Sequence, residues 1–278
     1  MMMKKGIINA AEGIITYSIE KKGYSQEIEP EDIVIITLQN SILNKARDIV
    51  YLLEEKRIGS IEIILRSMLE QYVSLIYILK DQTQLKAKLF IYSFKIQKFE
   101  KILNTMKFME TTDKYDTSEN ELIREKELKK IQEKFPQINS IEDYIYYLKN
   151  LYDEIKPHKP ARKRNVHYEK WYNINGKINS MKDLMNEINM SDAEYEFMYK
   201  LSSMDVHGIS AFGNAKATPN ELVLESSLDI KLLESIMTSF LIFSSKAISK
   251  YYSVQNDRQI KAYMKQFEIN FKFQSANM

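Results

Sequence analysis

The chain has 278 residues, of which 44% are hydrophobic and 28% are charged, and these values exclude a disordered chain and fit a folded globular protein. Only 7 residues are glycine and 5 are proline, so the chain lacks the turn residues that an all-β protein needs and favours long helices. The formal net charge of +2 does not by itself indicate a nucleic-acid binder, and zero cysteines with three histidines exclude disulfides and thiolate sites and disfavour zinc.

The hydrophobic periodicity predicts helices along most of the chain. The first ends at Gly23, and Pro30 begins the second, where Glu31 and Asp32 suit the positive end of the helix dipole. The predicted helices cover about 5–21, 30–53, 60–80, 84–109, 121–134, 140–152, 180–189, 191–208, 228–252 and 256–269. Loops are predicted at 110–120 and 156–171, and one extended piece at 221–225.

These elements predict an all-α fold, a multi-helix bundle with a helical insertion and a basic loop in the middle of the chain. We expect one domain over residues 1–278, with its core at about 31–109 and 180–252 and the insertion or lobe at about 110–179. The most apolar windows, 61–79 and 232–248, contain polar residues. A central arginine alone costs roughly 2.5–3.5 kcal/mol in a lipid-spanning helix. We therefore expect core helices, no membrane contact and a cytoplasmic protein.

Two charged residues interrupt the apolar helix at 61–79. Arg66 and Glu70 lie one turn apart, about 40° from each other on a helical wheel, with apolar residues on both sides. A buried charge must be paired or hydrogen-bonded. The pair therefore has two interpretations: an ordinary ion pair inside or on the bundle, or a polar site built into the bundle core.

A second polar stripe lies on the predicted helix after Ser191. Lys200 and Ser203 fall within about 40° of His207 on the wheel. His207 occupies the last turn before Gly208, where the helix dipole favours a protonated imidazole. A histidine with a pKa near neutrality can act as a general acid or base. The alternative is a histidine that only caps the helix end.

The loop at 156–171 is the clearest break in composition. It holds two prolines and a single acid, Glu169. Cations beside aromatic rings are typical of single-stranded nucleic-acid binding, although a solvated surface loop explains the same residues. The candidate nucleic-acid-binding residues are Lys159, Arg162, Lys163, Arg164, Lys170 and Trp171, with Lys156, Tyr168 and Tyr172 beside them.

Both polar stripes resemble motifs of one uncharacterised family of bacterial helical proteins. Arg66-Ser-Met-Leu-Glu70, followed by an apolar run to Tyr77, resembles its R-x-x-x-E element. Trp171, a short helix, Tyr195, Tyr199 and Ser203-Met-Asp-Val-His207-Gly208 resemble a second element, which reads aromatic, Ser, two variable residues, Val-His and a small residue. The resemblance covers roughly 39–80 and 168–212.

That family is similar to the HEPN group of helical bundles, many of which are metal-independent ribonucleases of toxin–antitoxin and anti-phage systems. The resemblance implies that His207 exchanges protons with the 2′-hydroxyl or 5′-oxygen of RNA. It implies that Arg66 and Lys200 stabilise the phosphate, while Glu70 and Ser203 orient them. It also implies a homodimer, no metal and no cofactor, and it allows a protein partner within a defence system.

Other functions are also compatible with the sequence. HEPN nucleases carry an arginine where this chain has Lys200, and lysine cannot bind a phosphate through two parallel hydrogen bonds. The alternative is a non-catalytic helical module that binds a partner or senses a ligand. A carboxylate-bridged metal enzyme is disfavoured, because the sequence contains no E-x-x-H pair.

Overall fold

The computed structural model describes residues 2–23, 28–55, 57, 60–111, 118–157, 168–200, 215–217, 222–224 and 230–276. It confirms the all-α multi-helix fold. Its helices are α1 (Met2–Lys22), α2 (Pro30–Glu54), α3 (Ile61–Lys80), α4 (Thr83–Glu110), α5 (Ser118–Gln132), α6 (Ile141–Ile155), α7 (Met181–Glu187), α8 (Asp192–Glu194), a π-helix (Tyr195–Lys200), α9 (Ile230–Tyr251) and α10 (Arg258–Ala276).

Two short strands form an antiparallel pair beside the helices. β1 (Ala215–Ala217) and β2 (Leu222–Leu224) are paired so that Ala215 lies opposite Leu224. β2 falls inside the extended piece predicted at 221–225, whereas β1 was not predicted, because three small or charged residues carry no strand pattern.

The chain divides into two compact units. The first consists of Met1–Thr83 and Ser180–Met278, and the second of Gln84–Asn179. The lobe predicted at about 110–179 lies within the second unit, which begins earlier and includes nearly all of α4.

The helix ends follow the capping signals in the sequence. Gly23 has a φ of 85°, which glycine adopts without strain, and it ends α1. The side chain of Ser140 accepts a hydrogen bond from the Asp143 amide at the start of α6. Ser180 caps α7 in the same way, but this helix ends before Asn189, which has a φ of 65°. The prediction for α7 was therefore two residues too long.

In the first unit, Asp32 at the start of α2 connects three helices. Its carboxylate forms an ion pair with Lys22 at the end of α1, and it accepts a hydrogen bond of 2.8 Å from the hydroxyl of Tyr252, which directly follows α9. A side chain that is only 7% exposed needs such partners, because a buried unpaired carboxylate is strongly destabilising. The end of α1, the start of α2 and the end of α9 are thereby fixed together.

One helix in the described part of the chain, α9, is long and apolar enough to cross a membrane by length and composition alone. Half of its most apolar window is buried inside the protein.

Aromatic pairs connect the elements of the second unit. Phe99 of α4 meets Tyr144 of α6 edge to face, with ring centroids 5.3 Å apart. Phe90 meets Trp171 in the same geometry at 5.0 Å. Edge-to-face pairs add specific electrostatic attraction to the burial of apolar area, so α4, α6 and the segment after residue 168 form one core.

The buried face of α2 predicts a sharp contrast between two isoleucines. Ile42 is fully buried, whereas Ile33 on the same helix is 50% exposed. We expect Ile42→Ala to lower the free energy of unfolding by about 2–5 kcal/mol, because it leaves a cavity. Ile33→Ala should change it by less than about 0.5 kcal/mol. Chemical denaturation of both variants measures this, and equal losses would contradict the placement of α2.

Candidate functional site

Arg66 and Glu70 lie together on α3, as their spacing predicted. The Arg66 Nε atom is 3.5 Å from Glu70 Oε1, and the two side chains are 19% and 41% exposed. The pair is thus neither sealed in a dry core nor fully solvated. Water at the Glu70 side weakens the attraction, so the carboxylate holds Arg66 only loosely.

Arg66 also contacts an aromatic residue that is distant in sequence. Its guanidinium carbon lies over the ring of Tyr199, 4.7 Å from the centroid, and its Nη2 donates a hydrogen bond of 3.2 Å to the Tyr199 hydroxyl. A guanidinium stacked on an aromatic face gains cation–π attraction, which grows as water is excluded. This contact connects α3 to the π-helix.

The π-helix carries two stacked tyrosines. Tyr195 and Tyr199 have ring centroids 5.3 Å apart and planes inclined by only 18°. Lys182 of α7 lies 5.9 Å from the Tyr195 centroid and forms an ion pair of 3.0 Å with Asp192. The hydrogen bond from Lys182 to the Asp192 carboxylate is the main reason why the pKa of Lys182 is raised. A continuous row of contacts thus connects α7 to α3, with the two tyrosines between the cations of Lys182 and Arg66.

The segment after Ser191 begins as predicted but is not one α-helix. Ser191 accepts a hydrogen bond from the Glu194 amide, and α8 then gives way after three residues to the π-helix. A π-helix has more residues in each turn than an α-helix, and such segments often occur at functional sites. The 100° step of an α-helical wheel therefore does not apply from Tyr195 to Lys200.

The described residues contain only part of the predicted catalytic set. Arg66 and Glu70 are described in full, whereas Lys200 is described only through its backbone at the end of the π-helix. Ser203 and His207 lie outside the described residues.

A small apolar cavity lies between α3, the π-helix and α9. Its volume is about 20 Å³, room for one water-sized group. Phe240 of α9, one of its walls, stacks on Tyr72 of α3 at 4.8 Å, and burial raises the pKa of Tyr72 to about 12. The cavity is lined by Glu62, Leu65, Leu69, Phe197, Met198, Leu233, Ile236 and Phe240. α3, the π-helix and α9 therefore pack around one point.

The basic loop is described only at its ends. Lys159, Arg162, Lys163 and Arg164 lie outside the described residues, and Lys170 is half-buried. Among the residues that the structure does describe, no three histidine or acidic side chains come together as metal ligands.

Two residues assigned to the loop surface belong instead to the core of the second unit. Trp171 is 6% exposed and packs against Phe90 and Tyr172, so its burial disagrees with its assignment to a nucleic-acid-binding loop surface. Lys156 is 8% exposed, and its ammonium lies 5.3 Å from the ring centroid of Tyr152. Composition could not reveal either burial, since it does not report which side chains fold back.

Tyr199 is the residue whose role the sequence reasoning missed. It belongs to the motif that carries the resemblance, but the motif implies no task for it. Its only local signal was the spacing of four from Tyr195, which places two aromatic rings on one helix face.

The burial of Lys156 predicts a gain in stability on its replacement. Burial lowers the pKa of Lys156, and only the charge of Asp153 opposes that effect. We expect Lys156→Met to raise the thermal midpoint at pH 7, because the apolar stem remains and the desolvated charge is removed. Between the lowered pKa and the ordinary value of 10.5, the unfolded wild type binds more protons, so its stability rises with pH. The advantage of the variant should therefore shrink by pH 10, and a lower midpoint at pH 7 would contradict the assignment.

The comparisons with known proteins concern most of the chain. Residues 32–216 match the model of a family of unknown function (DUF5677). No curated protein and no solved structure was found to match the chain. The matched span includes α2, α3, the whole second unit and the π-helix, and thus both Arg66 and Tyr199. Because it covers more than half of the sequence, the chain belongs to this family of unknown function.

Proposed function

We propose that this protein is a metal-independent ribonuclease of HEPN type, acting in the cytoplasm as part of a bacterial defence or toxin–antitoxin system. The observation that supports this most is the contact between Arg66 and Tyr199, residues 133 positions apart. It brings the R-x-x-x-E element next to the segment that leads to Ser203 and His207. Arg66 of the first motif and Tyr199 of the second are therefore in direct contact.

The proposed chemistry assigns one task to each polar residue. His207 takes the proton from an RNA 2′-hydroxyl or donates one to the 5′-leaving oxygen. Arg66 and Lys200 stabilise the negative charge that develops on the phosphate, and Glu70 and Ser203 orient them. The loose Arg66–Glu70 pair, at 3.5 Å, supports this assignment, because a phosphate can compete with a half-exposed carboxylate for the guanidinium.

The proposal extends to the assembly and to the basic loop. HEPN nucleases usually act as dimers whose histidine-bearing helices meet in a shared cleft, so we propose a homodimer, with a further protein partner in the same system. Lys159, Arg162, Lys163 and Arg164 would bind the RNA backbone through charge.

A non-catalytic module is the second candidate. Arg66 already has two side-chain partners, Glu70 and Tyr199, as in a purely structural network, and Lys200 stands where the nucleases carry arginine. In this case the bundle binds a partner or senses a ligand and cleaves nothing.

The first test compares RNA cleavage by four purified full-length proteins. Wild type should degrade tRNA in the presence of EDTA. His207→Ala should cleave about 10²–10⁴-fold more slowly, because it lacks the proton-transfer group, and Arg66→Ala should also be less active. Arg47→Ala is the matched control, since Arg47 is exposed and pairs with Glu12 on another face.

Equal cleavage by wild type and His207→Ala would show that a contaminant or another residue catalyses the cleavage. Absence of cleavage by every protein, together with normal growth of cells that express the wild type, would reject the ribonuclease in favour of the non-catalytic module.

The second test concerns the charge of the basic loop. Neutralising four loop cations should weaken the binding of a single-stranded oligoribonucleotide, and the dependence of log K on log salt should fall by about 0.7 for each phosphate that the variant no longer neutralises. The control removes the same charge from exposed lysines of α4 and α5 in the same unit. The loop variant replaces Lys159, Arg162, Lys163 and Arg164 by glutamine, and the control replaces Lys101, Lys107, Lys126 and Lys129.

Fluorescence anisotropy at several salt concentrations measures both sets. Equal weakening in the two variants would mean that only the net charge matters and that the loop is an ordinary solvated surface.

A further inference from the structure

We propose that Tyr199 is a positioning residue that holds the guanidinium of Arg66 ready for a phosphate. The inference rests on the proposed ribonuclease function and assigns Tyr199 a task within the same site. Two interactions carry it: the ring face under the guanidinium at 4.7 Å and the hydroxyl that accepts from Nη2 at 3.2 Å.

The geometry of a stacked guanidinium suits this task. The guanidinium carbon lies over the aromatic ring, while the five N–H donors of the group lie in its plane and point outward along its edge. Phosphate oxygens are bound by that edge, through parallel hydrogen bonds. The Tyr199 hydroxyl accepts from Nη2, one of the three guanidinium nitrogens, so Tyr199 can hold Arg66 without occupying the whole edge that a phosphate binds.

Restricting Arg66 in advance also has an energetic consequence. A long, flexible arginine side chain loses rotamer freedom whenever it is fixed on a ligand. If the ring of Tyr199 has already ordered the guanidinium, that loss does not oppose binding or the transition state.

A second tyrosine supports the position of Tyr199. Its ring stacks on Tyr195 at 5.3 Å, and Tyr195 is contacted by Lys182, which Asp192 fixes at 3.0 Å. The ring that contacts Arg66 is thus packed against Tyr195, which in turn contacts Lys182. We expect Tyr195→Leu to produce a weaker form of the defect caused by removing Tyr199.

The test uses the full chain and separates the ring from the hydroxyl. Tyr199→Leu removes both interactions, whereas Tyr199→Phe keeps the ring and removes only the hydroxyl. We expect Tyr199→Leu to lower kcat on tRNA by about 10–100-fold, since misplacing a catalytic group by about 1 Å has such an effect, with a smaller change in KM. Tyr199→Phe should retain most of kcat. Tyr146→Leu is the matched control, since Tyr146 is 69% exposed on α6.

Recovery of activity on addition of free guanidinium ion distinguishes a positioning role of Tyr199 from a merely structural one. Arg66→Ala should regain part of its activity when millimolar guanidinium chloride is added, because the ion can bind on the vacant ring face. The double variant Arg66→Ala/Tyr199→Leu should not be rescued. Equal rescue in both backgrounds, or a kcat of Tyr199→Leu equal to that of wild type, would overturn the inference.

A measurement without RNA separates failure of this inference from failure of the proposed function. If wild type cleaves no RNA, the ribonuclease proposal falls, and thermal unfolding then decides whether Tyr199 holds Arg66. The shifts in midpoint of Arg66→Ala and Tyr199→Leu should be non-additive in the double variant, because both remove the same interaction. Additive shifts would show that Tyr199 does not hold Arg66.

Discussion

In the first unit, the partly buried guanidinium of Arg66 connects α3 to the π-helix. The charge of a partly buried guanidinium must be satisfied by partners wherever the helix places it. Glu70 is a partner from the same helix, and Tyr199 is a partner from a segment far along the chain. The contact with Tyr199 therefore contributes to the position of the π-helix against α3.

Much of the fold could be predicted because its signals are local. One helix ends at Gly23 because of the backbone preference of glycine. Three helices begin with a serine whose side chain accepts a hydrogen bond from the helix backbone: Ser140, Ser180 and Ser191. Both signals can be read directly from the sequence. The pairing of Arg66 with Glu70 is local in the same sense, since residues four apart on a helix are neighbours whatever surrounds them. These features were confirmed for that reason.

The remaining features depend on tertiary packing, which a single sequence does not display. No capping or helix-breaking residue in the sequence marks the change to a π-helix after Glu194. The contact of Tyr199 with Arg66 joins residues that are far apart in sequence and forms only in the folded chain. The same limit explains Trp171. A tryptophan beside lysines has the composition of a nucleic-acid surface, yet its large apolar area favours burial against Phe90 wherever an aromatic core is within reach.

The span that matches the family and the first compact unit do not coincide. Helices outside the match therefore contribute to the packing around α3. The match runs over residues 32–216, whereas the first unit also contains α1, α9 and α10. Asp32, at the edge of the match, is held by Lys22 and Tyr252 from outside it, and Phe240 of α9 packs on Tyr72 of α3. The helix that presents Arg66 is thus stabilised on one side by segments beyond the matched span. An excised 32–216 fragment would expose the apolar faces of α2 and α3, so the motif residues can be studied only in the full chain.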